Sequence, residues 1–340
     1  MTARRTAAAV VGAAVLALLG GCSADPSAPR QSGTPAASPG SATPSTATPS
    51  HEHPAGPPRL TSRVLSWHLP DPLSRSVAMA EGARVLLAGG LGPGDRSTGQ
   101  VLAIDPHRGV VRPAGQLAVP LHDSAGAVLS GRPTVIGGGG ATELDDVQRQ
   151  DPHGRWHVVA HLPGARSDLS VVAAGAGGLV LGGYDGHATP TSILRTADGR
   201  RFDVAGTLPR GLRYSGVTVA NGVVWVLGGE VNGSELDEVL RLDPRTGRVH
   251  RVGRMPRALG HEAVVPVGHR LLVMGGRTSP DAVTDRMWWY ATRTDAWTRA
   301  GRLPYPVADA PSVKRGSHAY LFGGETPDFT GRVTRVTWRR

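Results

Sequence analysis

The sequence predicts an all-β protein built as a closed ring of six four-stranded blades, a β-propeller. Three observations carry that reading. An apolar run ending in Gly-Gly recurs six times, the interval between copies is nearly constant, and the composition is that of short strands and tight turns. The 340 residues include 47 Gly and 28 Pro, with 19% charged and 4% aromatic residues. A chain so rich in turn formers and so poor in rings must build its core from Val, Leu and Ala on many short strands.

The six runs are Val85–Gly90, Thr134–Gly138, Leu179–Gly183, Val224–Gly229, Leu271–Gly276 and Ala319–Gly324. From the first glycine of each pair to the next, the steps are 48, 45, 46, 47 and 48 residues. A repeat of this length is one supersecondary unit that cannot bury its faces alone. Each copy has the same order of elements. A Leu-Pro-like turn opens it, as at Leu162-Pro163, Leu208-Pro209, Met255-Pro256 and Leu303-Pro304. A short apolar strand follows, then a tight turn into the Gly-Gly strand, then a polar loop of variable length. A third strand ends in a turn such as Asp105-Pro106-His107-Arg108-Gly109 or Asp243-Pro244-Arg245-Thr246-Gly247. There Pro presets φ and Gly supplies φ > 0. A fourth strand leads to the next copy, so one copy makes one blade.

The fifth copy adds Tyr290 and, seven residues on, Trp297 to its Gly275-Gly276 pair. This pattern resembles the kelch repeat. Trp156 holds the tryptophan place in the second copy and Phe202 in the third, while Val111 and Val249 depart from it. The resemblance spans about Arg63 to Arg340 and implies a kelch-type propeller. It implies no particular function, because one fold hosts many sites. The sixth copy ends after its third strand, Arg332 to Trp338, and Arg63 to His68 precedes a Leu69-Pro70 turn. The N-terminal strand is therefore expected to complete the last blade and leave no open edge at the joint.

The first sixty residues read differently. A basic start, Met1 to Arg5, precedes an apolar run, Ala7 to Leu19, and then Leu19-Gly20-Gly21-Cys22. Residues 1–21 have the form of an export signal, too short to remain as a spanning helix. The ending resembles the bacterial lipobox, which implies a lipid on Cys22, the one cysteine of the chain. At ~0.8 kcal/mol per buried CH₂, two acyl chains anchor stably where one does not. Residues 22–60 are rich in Pro, Ser, Thr and Ala, with nine prolines and no aromatic residue. Such a segment cannot offset its ordering entropy by burial. It is expected to be a disordered stalk reaching roughly 35 Å as a coil, followed by the propeller at 61–340. The expected location is the outer face of the cytoplasmic membrane, facing the cell envelope.

Candidate ligand-binding residues follow from the repeat. The sixth residue after each opening Leu or Met gives Arg75, Asp123, Asp168, Tyr214, His261 and Asp309. These should ring one mouth of the central channel. The residues after Gly-Gly add Tyr184, Glu230, Arg277 and Glu325 on the same face. Such groups either bind a polar ligand or tie neighbouring blades together. His261 and Asp309, equivalent in adjacent blades, are expected to approach one another with a ligand held between them.

No nucleotide loop or nucleophile motif stands out, and a lone cysteine leaves no thiolate cluster for zinc. His153, His157 and His161 fall on a turn and a strand, so their spacing of four is not a helical metal pair. His51-Glu52-His53 lies in the stalk segment. Copper-radical oxidase chemistry on this fold needs a cysteine joined to a tyrosine, and Cys22 is assigned to the lipid. No cofactor or metal is expected. The net charge of +10 comes from arginines scattered along the chain, which favours a solvated surface over nucleic-acid binding. The expected function is a monomeric binding or scaffold module for an envelope protein, glycan or small polar ligand, tied to the membrane through Cys22. The alternative is a sugar-acting enzyme similar to the kelch-like sialic-acid mutarotases, which would need a shifted acid or base and an arginine clamp.

Overall fold

The computed structural model describes residues 56–339, and every regular element among them is a strand. Five antiparallel blades are each built from four main strands taken in chain order, with short extra strands in the loops after Gly-Gly of blades 1, 4 and 5. Blade 1 holds Val77–Glu81, Arg84–Ala88, Arg96–Asp105 and Val110–Leu121. Blade 2 holds Ala125–Leu129, Arg132–Ile136, Asp146–Gln150 and Trp156–His161. Blade 3 holds Ser167–Ala174, Gly177–Tyr184, Ser192–Thr196 and Asp203–Thr207. Blade 4 holds Gly216–Ala220, Val223–Leu227, Ser234–Leu242 and Val249–Leu259. Blade 5 holds Ala263–Val267, Arg270–Met274, Arg286–Ala291 and Ala296–Arg302.

Blade 6 closes the ring as expected. Its own strands Ser312–Arg315, His318–Phe322 and Arg332–Arg339 are completed by Arg59–His68 from the other end of the domain. The closing strand begins earlier than the sequence suggested. Arg59 and Leu60, assigned to the stalk, pair with Arg339 and Trp338. Leu60 packs on the core between blades 5 and 6, which is why the strand extends this far. A second difference is at Met255-Pro256, which lies inside the strand Val249–Leu259 instead of a turn. This is the outermost strand of its blade, where a proline costs no ladder bond on the solvent side. Residues 1–55, which hold the expected signal, Cys22, His51–His53 and most of the expected stalk, lie outside the described residues.

The core is six slabs, each pressed between two neighbouring blades. Leu179, Leu181, Val224, Val226 and Leu240 fill the space between blades 3 and 4, for example. The Gly-Gly pairs are the joints between blades. At blade 5 the Gly276 N–H donates to the Val307 carbonyl, at the approach to blade 6, at 2.8 Å. Both Gly275 and Gly276 have positive φ, 65° and 101°. A Cβ on Gly276 would stand 2.7 Å from the Gly260 oxygen. The backbone therefore comes too close for any side chain, which is why the pair repeats. The kelch pair Tyr290 and Trp297 lie with ring centroids 4.8 Å apart, and the Tyr290 hydroxyl donates to Asp295 at 2.6 Å.

Candidate functional site

The six predicted mouth residues lie together, and their backbones form a closed cycle. Arg75 N–H donates to the Asp309 carbonyl, Asp309 to His261, His261 to Tyr214, Tyr214 to Asp168, Asp168 to Asp123 and Asp123 to Arg75. The six N···O distances run from 2.8 to 3.2 Å. All six residues have φ between 48° and 60°. Non-glycine residues enter this region only when the surroundings over-determine it. Here one hydrogen bond per blade joint does so, and it fixes where each side chain starts.

The residue before each ring position faces the residue after each Gly-Gly, 17 positions later in every copy. Arg213 therefore stands opposite Glu230, Gly260 opposite Arg277 and Ala308 opposite Glu325. This brings the predicted Glu230, Arg277 and Glu325 to the mouth. Tyr184 reaches it through Arg213, whose guanidinium lies 5.5 Å from the Tyr184 ring centroid.

The side chains form one alternating chain of charge. Arg75 bonds Asp123 at 3.0 Å and Glu325 at 2.8 Å. Arg277 contacts both Glu325 and, at 3.4 Å, Asp309. His261 Nδ1 lies 2.6 Å from Asp309, and its Nε2 lies 3.6 Å from Glu230. Arg213 then joins Glu230 at 2.7 Å to Asp168 at 3.1 Å. The order is Asp123, Arg75, Glu325, Arg277, Asp309, His261, Glu230, Arg213, Asp168. The chain runs most of the way round the mouth and stops between Asp123 and Asp168, which are neighbours in the backbone cycle.

The pKa values follow this order. Burial alone would lower the His261 pKa, but Asp309, and then the bond to Glu230, raise it to about 9. The raised pKa favours the imidazolium, whose Nδ1 is bonded to Asp309 while its Nε2 stands 3.6 Å from Glu230 as an ion-pair contact. The same bond with His261, helped by Arg213, draws Glu230 down to about 2 against its burial. Burial opposes ionisation of Asp309 as well, yet His261 and the arginines hold its pKa below the usual value. At the chain's two ends the balance reverses. Burial pushes Asp123 up to about 7, with Asp168 and Asp309 adding to the rise. Burial also raises Asp168. Tyr214 stacks on His261 at 3.9 Å, and its hydroxyl lies 3.5 Å from Asp123.

Below the cycle the channel encloses about 190 Å³, lined by the six ring residues and by Ser76, Ser124, Ser215 and Glu262 among others. His261 and Asp309 bond one another directly, so the expected ligand between them has no room; they tie blades 5 and 6 instead. The sequence reading missed Arg213 and Glu262. The signal for Arg213 was the fixed offset of 17 to the residue after Gly-Gly. Glu262 had no such signal beyond standing next to His261. The three spaced histidines separate: His157 meets Asp151 at 3.2 Å, and His161 meets Asp145 at 3.0 Å and Asp146 at 3.5 Å. Asp145, Asp146 and His161 offer one atom each within 4.8 Å of one another. They sit where the two outer strands of blade 2 meet the loop after its Gly-Gly pair, outside the mouth lining, and already pair among themselves.

Family comparison agrees with this architecture. The Kelch motif matches residues 211–256 and again 259–304. Beta-scruin of Limulus polyphemus is 24% identical over 54% of this chain and 22% of its own length. Kelch-like protein 25 of Xenopus tropicalis is 22% identical over 74% of this chain and 44% of its own length. Kelch-like protein 34 of Homo sapiens is 33% identical over 35% of this chain and 20% of its own length. The chain thus spans less than half the length of these curated relatives. The solved structure of YjhT superposes with a TM-score of 0.68 over 80% of this chain and 99% of that one, at 15% identity, a likeness of fold. Six Gly-Gly joints, six blades closed by the N-terminal strand and two matched Kelch motifs support a kelch-repeat β-propeller.

Proposed function

We propose that the protein is a binding module whose channel mouth receives a cationic group, an ammonium or guanidinium carried by an envelope protein or an amino sugar. The observation that carries this is the break in the charge chain. Five carboxylates meet four cations, and the two terminal acids, Asp123 and Asp168, are neighbours. His122 Nε2 lies 3.6 Å from Asp123, but burial and Arg75 lower the His122 pKa, which disfavours a charge there. Burial raises the pKa of both acids, and Asp168 raises that of Asp123 further. An incoming cation would relieve that cost and complete the ring.

The same geometry weighs against a carboxylate sugar held by an arginine clamp. Arg75, Arg213 and Arg277 each already serve two carboxylates. The lipid anchor at Cys22 and the envelope location belong to this proposal and rest on the residues of the first segment. The closing strand starts at Arg59, opposite Arg339, at the end of blade 6 away from the mouth.

A thermal-shift comparison tests the mouth. Glucosamine and Nα-acetyl-lysine amide should raise the melting temperature of the full chain, while N-acetylglucosamine and Nα-acetyl-norleucine amide, which carry no ammonium, should not. Asp168→Asn should remove the effect, because binding stabilises only by mass action on an intact site. Stabilisation by the neutral or anionic sugars alone would overturn the reading.

A further inference from the structure

We infer that the flank of blade 6 farthest from the mouth is a site for phosphate groups. Antiparallel pairing sets Arg59 opposite Arg339, Thr61 opposite Thr337 and Arg63 opposite Arg335. Alternation puts these six residues on one face. The next strand adds His318 opposite Thr337 and Tyr320 opposite Arg335. Like charges directly opposite one another destabilise a sheet, and here two such pairs stand in one row. Sheet pairing uses only the backbone at these positions, so the fold does not explain four arginines.

Among the described residues no carboxylate forms an ion pair with Arg59, Arg63, Arg335 or Arg339. The contrast with the mouth is complete, since every mouth arginine there meets two acids. Arg63, Arg335, Arg339, His318, Thr61 and Thr337 border a cavity of about 290 Å³. One donor of a residue lining this cavity, the Arg335 Nε–H, is buried without an acceptor. An unpaired buried donor is costly, and an anion would supply the missing acceptor. Burial and then Arg335 and His107 lower the His318 pKa, the response of an imidazole in a cationic setting. Guanidinium forks match the oxygens of phosphate in pairs. The converging arginines, with threonine hydroxyls between them, suit an oxyanion of more than one charge.

The cavity exists only when the closing strand is in place, because that strand contributes Thr61 and Arg63. It lies at the end where Arg59 enters the domain, so a ligand there leaves the mouth free. Two sources share the chemistry, a soluble phosphate compound and a phospholipid headgroup.

The test uses the full chain with Cys22→Ser, so that no acyl chain contributes. Titration calorimetry with pyrophosphate, against chloride at matched ionic strength, reads the site directly. Arg63→Gln with Arg335→Gln should weaken binding by about 10-fold or more. Arg245→Gln with Arg293→Gln, the same charge change elsewhere, should leave it unchanged. The groove variant should also melt no lower than its parent without anion, since repulsion is relieved. Should it fail to fold, Arg339→Gln at the exposed end of the strand tests the same direction. Sedimentation with phosphatidylglycerol vesicles, displaced by pyrophosphate, would assign the headgroup. Pyrophosphate binding without vesicle binding would assign a soluble phosphate. Absence of pyrophosphate binding, or equal binding by parent and groove variant, would overturn the site.

Discussion

Glu262 sits one residue beyond His261 and is buried in the channel. Its Oε1 accepts from the Gly216 N–H at 3.1 Å, and its Oε2 has no partner. A Cβ on Gly216 would stand 2.6 Å from that Oε1, so the missing side chain makes room for the acid. Burial drives the Glu262 pKa up to about 8. An acid with a raised pKa keeps its proton in the fold where the unfolded chain has lost it. Its contribution to stability is therefore full below about 4.5 and gone as pH rises through 8. Asp123 gives the same sign between 3.8 and about 7. His261 contributes stability that is full below 6.5 and lost as pH rises through about 9. Glu230 acts oppositely, contributing above 4.5 and losing that as pH falls to about 2. The melting temperature should then peak near pH 4–5 and decline toward pH 9. Glu262→Gln should flatten the decline and stabilise the protein at pH 8 by about 1–3 kcal/mol, the cost of an unpaired buried group. Calorimetric melting at pH 5 and pH 8 checks both, and a parent that melts higher at pH 8 would sink the argument.

At the scale of elements, the closing strand and the Gly-Gly joints were legible in the sequence because each answers a requirement that repeats. A third strand at the C-terminus with no fourth left one opening, and only the N-terminal segment fitted it. The strand's start was not legible, since Arg59 and Leu60 follow three prolines and read as stalk. Their pairing with Arg339 and Trp338 depends on residues nearly 280 positions away, beyond any local pattern. Leu65 and Trp67 from this strand pack against the core shared with blade 1, and Leu60 packs between blades 5 and 6. Deleting Arg59 to His68 should thus open two core slabs at once, lowering the melting temperature sharply or preventing folding. Deleting Gln31 to Pro49 should leave it unchanged. Melting curves of the two deletions decide the point, and equal values would refute closure by this strand.

At the scale of the whole molecule, the ring explains why the site was legible in position but not in wiring. The repeat fixes which residue of each blade reaches the mouth, so all ten candidates were found from spacing. Which arginine meets which acid depends on side chains crossing between blades. Arg75 and Glu325 are 250 residues apart and touch only because the ring closes. Closure also separates the two ends of the domain: the mouth at one, the start of the closing strand and its basic flank at the other. That polarity makes the anchor testable apart from the fold. If Cys22 carries the proposed lipid, Cys22→Ser should leave the chain unprocessed or release it from the membrane fraction, since about 0.8 kcal/mol per buried CH₂ would be lost over both acyl chains. Any association that remains through the arginine face should be removed by high salt, which screens exposed charge. It should also disappear when Arg63 and Arg335 are changed to Gln. Melting temperature and response to cationic probes should be unaffected, because residue 22 lies outside the ring. A Cys22→Ser chain that is cleaved normally and still fractionates with membranes in high salt like its parent would show that something other than a lipid on this cysteine holds the protein there.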